Sequence, residues 1–416
     1  MTSGRSGRRL AAFALVASLI LGACGPASED GRVRVRIWHQ KSTPERLFLD
    51  EIVGRFNASQ SEIFVETLFK ENEEMRNLFV TAAVGGQGPE LVFGPADNVG
   101  LFVLTGSIMP LERILSEEVF GDFTEDGLVM WRDSTWILGD QVGNHLTLVY
   151  NRALVPNPPE TFDEFLNMAD TLTADTDGDG RIDRYALTWN YTEPFFFIPF
   201  LTGFGGWVMD DDGNPTLDTD ATVRAIQFIL DLRDKHRVIP RESDYDVADA
   251  LFKEGRAAMI INGPWSWEGY VAAGIDIGLT PIPKITETGN WSRPMVSAKG
   301  YSLNVNLTPD KYDSVRQVLL YLTSAEVQIE MAIRLATSPV HEKALTDPTI
   351  FSNRLVEDSM RQIALGRAMP LHPALRQIWD GARGPYQLVM NGAVSAEQGA
   401  KMMQEQAEKL IRDTFL

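Results

Sequence analysis

Cysteine is almost absent: the chain of 416 residues has one, Cys24, so no internal disulfide can form. Histidine is sparse as well. The five (His39, His145, His236, His341 and His372) are scattered without HExxH spacing, which leaves a zinc hydrolase no recognisable ligand set. No GxSxG elbow is present, and "GFGGW" (203–207) lacks the spacing of a dinucleotide loop. Internal repeats and low-complexity stretches are missing too. Positive charge is in deficit, with 38 Lys and Arg against 57 acids and a formal charge of −19, so nucleic acid is a poor partner. With that many acids some carboxylate pair will always be available, so their abundance does not argue for a glycosidase. Beyond the first two dozen residues no apolar run is long enough to span a bilayer.

What is present begins with a targeting pattern. Arg5, Arg8 and Arg9 form a basic head, "LAAFALVASLIL" an apolar core, and small residues follow, as in a signal peptide over residues 1–23. Cys24 stands directly after "LGA", and "LGAC" resembles the lipobox at which bacterial lipoproteins are lipidated and cleaved. Cys24 is therefore expected to be the acylated first residue of the mature chain, with 24–32 a polar tether. Removing 1–23 deletes three arginines and moves the formal charge to −22. The expected location is extracytoplasmic, held to a membrane by the lipid.

Composition is ordinary for a globular protein, and the length calls for two lobes. "VRVRIW" (33–38) alternates like a strand and "PERLFLDEIVGRFNAS" has helical spacing. A second strand "IFVETLF", a second helix "NEEMRNLFVTAAVGG" and a third strand "PELVFG" follow. This alternation predicts an α/β lobe with a mostly parallel sheet, whose ligand sites lie at the carboxyl ends of its strands. Near residue 140 the pattern restarts with "HLTLVYNRALV" and the capped helix "NPPETFDEFLNMADTL", continuing to about 296. Helices fill the remainder, from "SVRQVLLYLTSAEVQIEMAIRL" to "SAEQGAKMMQEQAEKLIRDTF".

"VYNRALVPNPPETFDEF", "YDVADALFKEGRAAMIINGPWSWEG", "RAMPLHPALRQIW" and "GQGPELVFGPADNVG" resemble, in order and spacing, segments of the maltose/maltodextrin-binding proteins of bacterial ABC importers. The likeness covers about 33–416. It implies a two-lobed periplasmic-binding-protein fold, each lobe a β-sheet flanked by helices, with the ligand cleft between them and a chain that crosses more than once. Lobe one is expected at 33–142 and 299–348, lobe two at 147–296 and 352–416. The role it implies is that of a monomeric, non-catalytic receptor that binds an α-linked di- or oligosaccharide and delivers it to permease subunits. A receptor for trehalose, sucrose or another glycoside is the rival within the class. A glycan-processing enzyme or a sensor-coupled adhesin is the rival outside it.

A sugar ring has C–H faces and a rim of hydroxyls, so its receptor needs flat apolar platforms and fixed polar groups. By the resemblance, Trp265 in "NGPW" and Trp379 in "RQIW" are such platforms. Glu193 accepts hydroxyl protons, and Phe195, Phe196, Tyr245 and Met369 face the ligand. Trp267, which would share a face with Trp265 on a strand, is expected to pack in the core, and Trp38 likewise. Lobe one departs from the family: Gly94 replaces an aromatic, Asp97 is kept, Asn98 replaces an arginine, Asn144 replaces an acid, and Lys41 stands for a lysine after a shift. Separately, "DTDGDGRID" places Asp175, Asp177, Asp179 and Asp183 at positions 1, 3, 5 and 9 of an EF-hand-like loop. Gly180 sits at its sharp turn and the Arg181 carbonyl at position 7. Position 12 is Ala186 rather than an acid. A structural Ca²⁺ and a solvated acidic turn are both open readings; no other cofactor is expected.

Overall fold

The structure is a computed structural model and describes residues 31–415. The leader, Cys24 and most of the tether lie outside the described residues.

Among the described residues, twelve strands form two sheets. In chain order they are β1 (Val33–His39), β2 (Ile63–Phe69), β3 (Leu91–Pro95), β4 (Ile108–Met109), β5 (Leu128–Trp131), β6 (Ser134–Gly143), β7 (Thr147–Asn151), β8 (Tyr185–Thr188), β9 (Ala257–Asn262), β10 (Ile277–Thr280), β11 (Met295–Asn304) and β12 (Arg367–Ala368). The first sheet runs β2-β1-β3-β11-β6-β5, with β4 and β12 also pairing to β11; the second runs β10-β7-β9-β8.

Apolar residues cover both faces of each sheet. In the first sheet Val35, Ile37, Phe93 and Tyr301 meet Phe48, Leu49 and Ile52 of the helix Thr43–Ser59. On the other face Val92, Ile137 and Ala298 meet Met75, Phe79 and Phe102. In the second sheet Leu148, Leu187, Met259 and Ile261 face a large aromatic-rich core. Val149, Ile260 and Leu279 face Phe252, Trp267 and Tyr270. Several helices start on a side-chain cap, among them Thr161, Thr219, Asp244 and Ser324, each such cap worth about 1 kcal/mol.

The first sheet is mixed rather than mostly parallel. β1 pairs in parallel with β2 and β3, as the alternation predicts. β11, however, enters from the second sheet and inserts antiparallel between β3 and β6. A strand contributed after a long excursion has no local crossover to fix its direction, so the order of nearby elements could not reveal it. β11 also links the two parts of the molecule: its first residues, Met295 and Val296, pair with Arg367 and Ala368 of β12.

Candidate ligand cleft

In both lobes the candidate residues follow the carboxyl ends of strands. Gln40 and Lys41 follow β1, and Asp97 and Asn98 follow β3; in the second sheet the segment to Phe196 follows β8 and Trp265 follows β9.

Trp265 opens the helix Pro264–Ala272, in which Pro264 occupies the first position, where a missing N–H costs nothing. A helix, unlike a strand, turns residues two apart by about 200°. Trp265 is accordingly half-buried beside the second lobe's core, while Trp267 is fully buried, its ring edge-on to His145 at 5.9 Å. The indole of Trp265 folds back over Gly263, where a Cβ would lie 2.2 Å from two of its ring carbons. Burial pushes the Tyr245 hydroxyl up to about 12, so it stays protonated. Tyr245 and Trp265 pack against the same core. The Lys299 ammonium lies 5.2 Å from the Trp265 ring centroid.

Phe196, Met369 and Trp379 are buried members of the same core cluster, against which Phe195, Tyr245 and Trp265 pack. Phe195 and Phe196 meet edge-to-face at 5.9 Å. Trp379 is only 7% exposed. Glu193 is not a free acceptor: Arg383 donates to it through Nε at 2.8 Å and Nη2 at 3.1 Å. Arg383 also reaches Asp380. It sits one turn after Trp379 in the helix Ala374–Met390, on the same face, and that four-residue spacing is the signal by which it could have been found.

In lobe one Lys41 differs from its expected role. Its ammonium is buried, 2.8 Å from Asp140 Oδ2 and 3.6 Å from the centroid of Phe93. Burial nevertheless pushes the Asp140 carboxyl above its ordinary range, against the pull of Lys41. Beside them Glu45 accepts from the Ser42 N–H and hydroxyl and from Gln141. Burial works against its ionisation, but Lys299, Lys41 and the Ser42 bonds outweigh it and hold Glu45 at about 2. Asn144 is half-buried, its amide 3.4 Å from Ser297 Oγ, tying together the two chain crossings. Asp97 is half-buried in the turn Ala96–Asn98. Asn98 is buried, and its Nδ2 has no hydrogen-bond partner among the described residues, nor has Gln40 Oε1. Both amides border Gly94, where a Cβ would lie 3.3 Å from Asn98 and 3.8 Å from Gln40. The glycine therefore leaves room for two polar side chains. Trp38, half-buried, packs against the core beneath.

The lobes touch directly. A Cβ on Gly100 would lie 2.5 Å from the Leu371 carbonyl and 2.8 Å from Pro373 Cα, and Leu371 packs on the first lobe's core.

At the acidic loop, Asp175, Asp177 and Asp183 bring carboxylate oxygens within 4.8 Å of one another. Asp179 does not join them; its carboxylate accepts from the Arg181 N–H at 2.8 Å. Gly178 and Gly180 take positive φ, and their N–H groups bond to Asp175. Three convergent carboxylates suit a hard, oxygen-seeking cation. Ala186, at the twelfth position, is a buried strand residue and offers no ligand.

A family model for bacterial extracellular solute-binding protein matches residues 51–357. The chain belongs to that family. Among its relatives, the maltotriose-binding protein of Pyrococcus abyssi (strain GE5 / Orsay) is 26% identical, covering 92% of this chain and 83% of its own. The galactooligosaccharide-binding protein of Bacillus subtilis (strain 168) is 23% identical, covering 95% of each. The solved maltose/maltodextrin-binding domain MalE from Bdellovibrio bacteriovorus, bound to maltotriose, matches with a TM-score of 0.87 and 42% identity over 92% of this chain and all of that one. The Thermus thermophilus maltotriose binding protein bound with maltotriose is alike in fold, at a TM-score of 0.80 and 24% identity over 91% of this chain and all of that one.

Proposed function

We propose that this protein is the substrate-binding component of an ABC carbohydrate importer. It takes an α-linked di- or oligosaccharide of the maltodextrin type into the cleft and presents it to permease subunits. The observation that carries the reading is the aromatic cluster of lobe two, in which Trp265, Trp379, Phe195, Phe196, Tyr245 and Met369 converge. The 42% identity to a maltotriose-bound domain supports it. The lobe boundaries are taken at 33–142 with 299–348 and at 147–296 with 352–416. No chemistry is performed: the sugar leaves unchanged. Binding favours a closed arrangement only through the ligand's differential affinity for the open and closed forms, by hinge closure of the lobes around the sugar. The Lys41–Asp140 pair and the Gly94 departure favour, as a second reading, the same role for another glycoside.

Cys24 carries the lipid that holds the monomer to the membrane, and Asp175, Asp177 and Asp183 hold a structural Ca²⁺ that stabilises lobe two. The test is a thermal-shift and calorimetric panel of maltose, maltotriose, trehalose, sucrose and galactooligosaccharides, with the sugar recovered afterwards. A ligand that binds only the folded state raises stability by about 2.7 kcal/mol at a hundredfold excess over Kd. The reading expects the largest shift with maltotriose and intact sugar at the end. Sugar hydrolysis, or a folded protein that none of the panel stabilises, contradicts it.

A further inference from the structure

We infer that Lys299 is a specificity-determining residue of the cleft, a charge-assisted hydrogen-bond donor to the neutral sugar unit that lies on Trp265. The inference rests on the carbohydrate reading above and adds to it a residue that the family likeness did not supply.

Lys299 is a lone cation in an otherwise uncharged strand, "MVSAKGYSLN". It lies on β11 between Pro95 of β3 and Gln141 of β6. The register against β6 shifts between Lys299 and Gly300, an irregularity of the kind that re-aims a side chain. The side chain is half-buried and brings its ammonium from the first lobe's sheet to the indole of the second lobe's platform, 5.2 Å from the ring centroid. An ammonium carries three N–H donors, and an aromatic face attracts the charge without accepting three hydrogen bonds. Among the described residues no hydrogen bond or ion pair engages the Lys299 Nζ. Its neighbours in charge are occupied elsewhere: Glu45 by Ser42 and Gln141, and Asp140 Oδ2 by Lys41.

The arrangement selects a chemical class. A pyranose laid on an indole surrounds the ring with hydroxyl oxygens, fixed acceptors where the half-buried ammonium otherwise meets only solvent. As the sugar settles on Trp265, the ammonium moves from the ring to the sugar's rim and exchanges a cation–π contact for a stronger, charge-assisted bond. The ionised Glu45 nearby already balances the positive charge, so an acidic sugar has little to gain. The preferred ligand is a neutral hydroxyl-bearing ring. A site built to bond one hydroxyl rejects the analogue that lacks it, because its own donor is then left without an acceptor.

The experiment uses the full chain and measures Kd by calorimetry for maltotriose and for its series of monodeoxy analogues, with wild type, Lys299→Met, Lys299→Gln and Lys299→Arg. Circular dichroism and melting establish folding, and small-angle scattering of the ligand-free proteins establishes that the lobes keep their separation. Wild type is expected to disfavour one deoxy analogue by tenfold or more. Lys299→Met should weaken maltotriose by a similar factor and lose that one preference while keeping the others; Lys299→Gln, a neutral donor, and Lys299→Arg should fall between. If Lys299→Met does not fold, Lys299→Gln decides in its place. Unchanged maltotriose affinity, or an unchanged pattern of deoxy preferences in the folded variant, overturns the assignment of Lys299 and leaves the transport reading standing. Folded wild type that binds no sugar of the panel overturns both.

Discussion

At the scale of single residues, the outcome at Trp265 and Trp267 turns on one local fact, that Gly263-Pro264 starts a helix and not a continuation of β9. The resemblance assigned the two indoles different roles; the helix explains how neighbours two apart can have them. Gly263 is required because the indole lies on it: Gly263→Ala should displace Trp265 and weaken sugar binding tenfold or more, with the fold intact by circular dichroism. Unchanged affinity would mean that the indole does not contact the sugar. A second residue-scale expectation concerns His145, which is fully buried, donates through Nδ1 to the Gly143 carbonyl, accepts at Nε2 from the Ser359 hydroxyl, and is held at about 4 by burial. The folded state therefore keeps it neutral while the unfolded chain protonates near pH 6.5. The unfolded state binds more protons between those values, so stability falls as pH drops from about 6.5 to 4, by about 2 kcal/mol at pH 5 from this residue. Denaturant titrations at pH 7 and pH 5 measure it, and in His145→Asn that part of the loss should disappear. What the residues alone could not reveal is pairing. Lys41 and Glu193 were legible as charged candidates, but their partners Asp140 and Arg383 are 99 and 190 residues away.

At the scale of elements, the strands and helices with clean periodicity were legible, while the hairpin of β5 and β6 was not. Its two-residue turn is Arg132-Asp133, both with positive φ, where the usual signature is Asn-Gly or Asp-Gly. A left-handed conformation costs a non-glycine residue about 1 kcal/mol, so Asp133→Gly should raise the melting temperature slightly without touching binding. A lower melting temperature would show that the turn is conformationally set by something other than φ. The acidic loop was legible as a spacing, but not the turning of Asp179 toward the Arg181 N–H. If the loop holds Ca²⁺ through Asp175, Asp177 and Asp183, chelator should lower the melting temperature and added Ca²⁺ should restore it. Asp177→Asn should abolish that response and Asp179→Asn should largely keep it. Equal melting curves with chelator and with Ca²⁺ would leave only an acidic turn.

At the scale of the whole molecule, chain length suggested two lobes and the family resemblance implied the two-lobed fold and the return of 299–348 to lobe one, while the antiparallel place of β11 between β3 and β6 was not legible, since it is a long-range event. The contact of Gly100 with Leu371 and Pro373 is of the same kind. A larger side chain there wedges the lobes apart, so Gly100→Leu should weaken sugar binding tenfold or more and enlarge the radius of gyration of the sugar-saturated protein. The central claim, that sugar is held on the aromatic cluster of the cleft, is tested most directly by calorimetric titration of maltotriose into wild type and into a folded Trp265→Ala, Trp379→Ala double variant. Burial of an aromatic is worth about 2–3 kcal/mol, so each platform should account for one to two orders of magnitude in Kd and the double variant should lose measurable binding. A folded double variant that binds maltotriose with the wild-type affinity would contradict the account.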